Sequence, residues 1–203
     1  MFNNMKKQGF TLVETLVAIT ILLIAIAGPL TIASKGLNGA YYARDQITAY
    51  YLAQEGIEYI RNVRDTNSLS ETLDRTHWID GGFTSGGLSL CVNNYCRINV
   101  QQLNPQLGIV DCTTDSNPYS TVSEPLHCEP LMIDTSPQDG STLYDYNPAG
   151  TPSQFTRDII MTPIDPNADG STETMQVTST VYWKSPLPNN SFSLTEDITN
   201  WEK

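Results

Sequence analysis

The densest chemistry in the chain lies in residues 6–14, Lys6-Lys7-Gln8-Gly9-Phe10-Thr11-Leu12-Val13-Glu14. Two lysines and a glycine lead into a run that is apolar from Phe10 to Ala33 and broken by a single acid, Glu14. A carboxylate near the start of an apolar helix is costly in lipid, and such groups usually have a partner and a task. If the chain is cut after Gly9, Phe10 carries a new α-amine, with Glu14 four residues on and on the same helix face. In a bundle of such helices, Glu14 of one copy neutralises the amine of the next. That pairing removes two charges from an oily core and fixes the axial register between neighbours.

Two further groupings are candidates for chemistry. Asp165-Pro166-Asn167-Ala168-Asp169-Gly170 matches the first half of a calcium loop, with oxygen ligands Asp165, Asn167 and Asp169 at alternate positions before a glycine turn. The match then degrades, because Gln176 stands where the bidentate glutamate belongs, so a tight polar hairpin competes with calcium as the reading. The four cysteines favour disulfides in an oxidising exterior. Three pairings are open; the two local ones, Cys91–Cys96 and Cys112–Cys128, are expected because each closes a loop in a Pro/Asn/Ser-rich region. Zinc is the rival, but C-x2-C spacing is absent and neither His77 nor His127 sits at ligand spacing. No nucleophile–base arrangement or phosphate loop is present in the pattern, so no catalytic residue is assigned.

The elements that must position these groups begin with the helix. Thr15 to Ser34 are twenty residues without a charge. At a rise of about 1.5 Å per residue they reach about 30 Å, the thickness of a bilayer's hydrocarbon core. Lys6 and Lys7 flank its N-terminal side, which by the positive-inside rule leaves the N-terminus in the cytoplasm and the remainder outside. Gly28-Pro29 predicts a kink, since proline removes one helical hydrogen bond and clashes with the preceding turn. Beyond Ile32, the spacing of Ala43, Ile47, Tyr50, Ile57 and Ile60 predicts an apolar stripe, and so a helix from about Phe10 to about Val63.

The remainder reads as a β-rich domain. Ten tyrosines, twelve prolines and thirteen glycines favour strands and loops over helices. Leu88–Val92 and Tyr95–Val100 are predicted to form a hairpin about Asn93-Asn94. Residues 105–152 read as irregular. Phe155–Met161, Thr174–Trp183 and Ser191–Ile198 are predicted strands of an antiparallel meander. The chain has 22 acids against 11 bases, a formal charge of −11; loss of Lys6 and Lys7 would make it −13. That charge argues against nucleic-acid binding and suits a soluble exposed domain.

Lys-Lys-x-Gly-Phe-Thr-Leu-Val-Glu followed by an unbroken apolar helix resembles the leader and N-terminal helix of type IV pilins and type II secretion pseudopilins. Tyr51–Glu58 and the F-T-R…V-x-W…L-T-x-x-I-T-N-W layout of the C-terminal third are similar to PilV-type minor pilins, and the former also to I-type pseudopilins. The resemblance implies an α+β, type IV pilin-like fold, a long N-terminal helix packed on an antiparallel β-sheet head. It implies a cleaved leader (1–9), a membrane and filament-core helix (10–34), an amphipathic helix (35–64) and an extracytoplasmic head (65–203).

It further implies that prepilin peptidase cuts between Gly9 and Phe10 and methylates Phe10, and that Glu14 serves assembly. The implied partners are other pilin or pseudopilin subunits, an assembly platform protein and, before assembly, membrane lipid. The implied place is the inner, cytoplasmic membrane, single-pass, and then a filament. No cofactor is implied, although some pseudopilins bind calcium in a head loop. Two other readings stay open: a filament-borne adhesin, and a signal-anchored protein that never assembles.

Overall fold

The computed structural model describes residues 9, 11–69, 77–82, 86–102, 104–112, 128–134, 143–147, 149–164, 173–184 and 190–200. The chain divides into two units, Met1–Arg44 and Asp45–Lys203. One helix, α1 (Leu12–Ser68, 57 residues), supplies the described structure of the first unit and opens the second. It runs five residues past Val63. Its last turn is held by polar groups, with Thr66 Oγ1 donating to the Asn62 carbonyl and Asn67 Nδ2 to the Trp78 carbonyl.

Seven strands form one antiparallel sheet in the second unit: β1 (Cys96–Ile98), β2 (Ile109–Asp111), β3 (Pro130–Asp134), β4 (Leu143–Asp145), β5 (Thr151–Pro163), β6 (Thr174–Trp183) and β7 (Ser191–Thr199). Strand β5 is central. One of its edges pairs with β6 from Phe155↔Trp183 to Pro163↔Met175 without a break. The other is shared by β1, at Cys96↔Ile159, and by β3, from Pro130↔Thr156 to Ile133↔Thr151. β7 extends the sheet beyond β6, and β2 and β4 pair with β1 and β3. The expected antiparallel meander is therefore β5–β6–β7, each strand as long as or longer than its alternating pattern suggested.

Two expectations are corrected. Leu88–Val92 is not a strand: Gly87–Cys91 is a 3-10 helix, whose residues i and i+3, Leu88 and Cys91, are both fully buried. Asn93 takes a left-handed φ of 54° and donates its N–H to the Met161 carbonyl, so the chain docks on β5 instead of folding back as a hairpin. The 105–152 stretch is not wholly irregular, because β2, β3 and β4 form within it. They are three to five residues long, too short for an alternating pattern to register.

The apolar stripe of α1 also falls elsewhere. Ile57 and Ile60 are buried, but Ala43, Ile47 and Tyr50 are exposed. The face against the sheet is Ala49, Leu52, Ala53, Gly56, Ile57, Ile60 and Val63. Small residues occupy it because the backbone comes close: a Cβ on Gly56 would lie 2.9 Å from Ser179 Oγ and 3.1 Å from Ile159 Cδ1. The core beneath joins Ile57, Ile60 and Val63 to Leu88, Ile98, Ile159, Met161, Val177 and Ile198. Burying each such side chain contributes roughly 1.5–3 kcal/mol.

Arg157 on β5 locks this face. Its side chain is 1% exposed; Nη1 donates to the Leu52 carbonyl (3.0 Å) and to Glu55 Oε2 (2.8 Å), and Nη2 to the Ile98 carbonyl (3.0 Å). A guanidinium offers donors in a fixed fork, so one side chain ties α1, β5 and β1 together. Gly56 lies beside it, and a Cβ there would stand 3.4 Å from Arg157 Cδ, in ordinary contact. The structure joins Cys91 to Cys96 and Cys112 to Cys128. The Cys128 N–H, next to β3, donates to the Asp158 carboxylate on β5.

Candidate processing and assembly site

Gly9 is exposed, and a Cβ added there would meet nothing within 4 Å. Phe10 lies outside the described residues. Thr11 precedes the helix, and its Oγ1 accepts the N–H of Glu14 at 3.3 Å. Thr11 is thus the N-cap and Glu14 the third helical residue, the T-x-x-E spacing of a capping box. The sequence reading missed this, though the spacing was there to be read. In the first turn the Glu14 carboxylate also faces the positive end of the helix dipole. Helix geometry alone therefore gives this acid a local role besides the intersubunit one expected of it.

Downstream, the apolar side chains of the first unit are exposed among the described residues. Leu12, Val13, Leu16, Ile19, Leu22, Ile24, Leu30 and Ile32 are all exposed. An eighteen-residue window here reaches a mean hydropathy of 2.5 with none of it buried, long and apolar enough to cross a membrane. A contiguous apolar surface of this size requires lipid or other protein. Three threonine hydroxyls inside the run are satisfied within it: Thr15 Oγ1 donates to the Leu12 carbonyl, Thr20 Oγ1 to that of Val17 and Thr31 Oγ1 to that of Ala27. That is what hydrocarbon demands of a hydroxyl.

The helix continues through Gly28 and Pro29. Proline has no N–H, so the Ala25 carbonyl loses its helical donor there. Nothing in the chain's own packing requires glycine at 28, 36 or 39, since a Cβ at each would meet no atom within 4 Å.

The other candidates belong to the second unit or lie outside the described residues. The two disulfides lie in the head unit. Asp165, Asn167 and Asp169 lie outside the described residues, and among the described residues no group of three His, Cys, Asp or Glu side chains is placed to hold a metal. His77 Nδ1 lies 2.7 Å from Asp80 Oδ1, a surface pair with no serine or cysteine nucleophile in its hydrogen bonding.

Residues Arg157 and Gly56 were not singled out by sequence reading for what they do. The available signal was an Arg157-Asp158 pair of charges inside a predicted strand that ends Ile159-Ile160-Met161.

Comparison with known proteins fits this arrangement. Residues 4–28 match the model of the prokaryotic N-terminal methylation motif, the signature of type IV pilins and pseudopilins. No curated protein and no solved structure matches the chain. A pilin-type motif ahead of a long apolar helix, and a helix packed on an antiparallel sheet in the head unit, together describe an α+β, type IV pilin-like fold. The motif points to a processed structural subunit and not to an enzyme.

Proposed function

We propose that this chain, which carries the signature of type IV pilins and pseudopilins at its N-terminus, is a minor filament subunit. Prepilin peptidase removes residues 1–9 and methylates the α-amine of Phe10. The segment 10–34 then holds the subunit in the inner membrane, N-terminus inward, with 35–64 and the head 65–203 outside. An assembly platform extracts the helix, and contact with neighbouring helices offsets the lost lipid contacts. Gly28 and Pro29 provide the bend or local loss of helix that close packing uses.

The observation that carries this reading is the motif at 4–28 overlapping the apolar N-terminal part of α1, whose most apolar stretch is unburied among the described residues. Glu14 has two roles in it. Its carboxylate sits in the first turn of its own helix, where it faces the positive end of the dipole, and it neutralises the methylated amine of the next subunit. Only the second depends on assembly.

Substituting Glu14→Ala and Glu14→Gln separates the roles. The glutamine keeps the size of the glutamate and the alanine does not, both keep the backbone N–H that Thr11 accepts, and neither can neutralise an amine. Both variants are expected to insert in the membrane at wild-type levels and to be lost from sheared filament fractions. Normal incorporation of either would favour a tethered protein that does not assemble.

A further inference from the structure

Among the described residues the sheet ends in three edges, and they are not alike. β2 and β4 are three residues each, too short to template a new strand. β7 is nine residues, Ser-Phe-Ser-Leu-Thr-Glu-Asp-Ile-Thr, with no proline, lysine or bulge to blunt it. Its register with β6 is unbroken from Thr174↔Thr199 to Tyr182↔Ser191. The hydrogen bonds just beyond its ends, Trp183 N–H to the Asn190 carbonyl and Asn200 N–H to the Glu173 carbonyl, fix the alternation. Even-numbered residues of β7 bond to β6, so Ser191, Ser193, Thr195, Asp197 and Thr199 turn their N–H and C=O groups to the open side. A contact on that side obeys this pattern: Arg64 Nη1 donates to the Thr199 carbonyl. Among the described residues no strand pairs with this edge.

A groove of about 530 Å³ runs against the same strand, lined by Glu58, Arg61, Asn62, Arg64, Asp65 and Glu196. Its two arginines are already engaged, Arg61 by Glu58 and Glu196 and Arg64 by Asp65, which leaves one acid in excess. On the other face of the sheet the exposed Asp197 has a neutral neighbour, Gln176 Nε2 at 3.3 Å. Side chains of an added strand would alternate between this groove and the Asp197 face, meeting negative charge on both.

We propose that the open edge of β7 is a strand-addition site for an extended, basic segment of another polypeptide. Main-chain hydrogen bonds to Ser193, Thr195 and Asp197 supply affinity, and lysine or arginine side chains in the groove and beside Asp197 supply selectivity. A second copy of this chain is the weaker occupant, because it brings the same acids and a formal charge of −11. The inference uses the head unit alone, so it stands or falls independently of what happens at Gly9.

The test uses the full-length protein in detergent and two labelled peptides, Thr-Lys-Val-Thr-Lys-Val-Thr-Lys-Val and its counterpart with glutamate for lysine. Binding is read by fluorescence anisotropy and amide hydrogen exchange. The lysine peptide should bind, protect the amides of Ser193, Thr195 and Asp197, and compete poorly with salt. Thr195→Pro places a ring on the open side while sparing the bonds to β6, and should weaken binding about tenfold or more. Exchange of the β6 amides shows whether that variant keeps its fold. Asp197→Lys, at an exposed site, should shift preference toward the glutamate peptide. Failure of the lysine peptide to bind would overturn the proposal. So would binding that ignores Asp197→Lys or spares the three amides.

Discussion

Arg157 gives the sharpest stability contrast in the molecule. Replacing it by Met keeps an apolar stem of similar reach but removes the donors to the Leu52 and Ile98 carbonyls and to Glu55. Hydrogen bonds from a charged donor contribute about 1.5–3 kcal/mol each. Water can rescue Glu55, whose side chain is 40% exposed, and the Leu52 carbonyl keeps its place in the helical ladder, so the sum is discounted. The expected net loss is about 3 kcal/mol, within the range for breaking a buried ion pair. For a domain of this size that lowers Tm by about 10 °C.

Arg61→Met is the control. Arg61 also pairs with two carboxylates, Glu58 and Glu196, but its side chain is 36% exposed, so its removal should cost at most about 1 kcal/mol. The assay is near-UV circular dichroism during thermal and urea unfolding of the detergent-solubilised protein with its disulfides intact. If Arg157→Met unfolds at or above the temperature of Arg61→Met, the buried guanidinium is not what ties α1 to β5 and β1.

Two further predictions follow from neighbouring residues. Gly56→Ala gains about 1 kcal/mol of helix propensity but must push aside Ser179 Oγ and Ile159 Cδ1; overpacking of about 1–3 kcal/mol should win, giving a net loss seen in the same unfolding assay. The Tyr146 hydroxyl is buried, and burial pushes its pKa up to about 12 while Arg157 and Arg97 pull the other way; Tyr59 and Tyr182 are also raised, chiefly by burial. The folded state therefore holds these protons more tightly than the unfolded chain, whose tyrosines titrate near pH 10. Their stabilisation is fully present below pH 10 and is lost as pH rises above it, that of Tyr146 as pH passes through about 12. Absorbance at 295 nm should show late-titrating tyrosines that join the rest in urea, and a single common transition near pH 10 would contradict this.

The N-terminal region was the most legible part of the sequence. Charge, glycine, aromatic and acid occur there at fixed offsets before a span, so their meaning depends on chain neighbours alone. The meander β5–β6–β7 was readable for a related reason, since long strands carry enough alternation to declare themselves. Legibility failed where the tertiary partner decides.

The buried face of α1 was misread because large apolar residues such as Ile47 and Tyr50 suggested one stripe, while close approach to the sheet selected Ala49, Ala53 and Gly56. Leu88 and Leu90 mimicked a strand because a short 3-10 helix has too few turns to show its period. The Arg157 fork was invisible because its acceptors, Leu52, Glu55 and Ile98, are far away in sequence.

The central claim is that this polypeptide functions only after it is cut ahead of an apolar helix. The most direct measurement is an intact mass and N-terminal fragment spectrum of the protein purified from membranes of its host. The account predicts a chain beginning at Phe10 and carrying one methyl group on its α-amine. A chain still beginning at Met1, with Lys6, Lys7 and Gly9 in place, would contradict it.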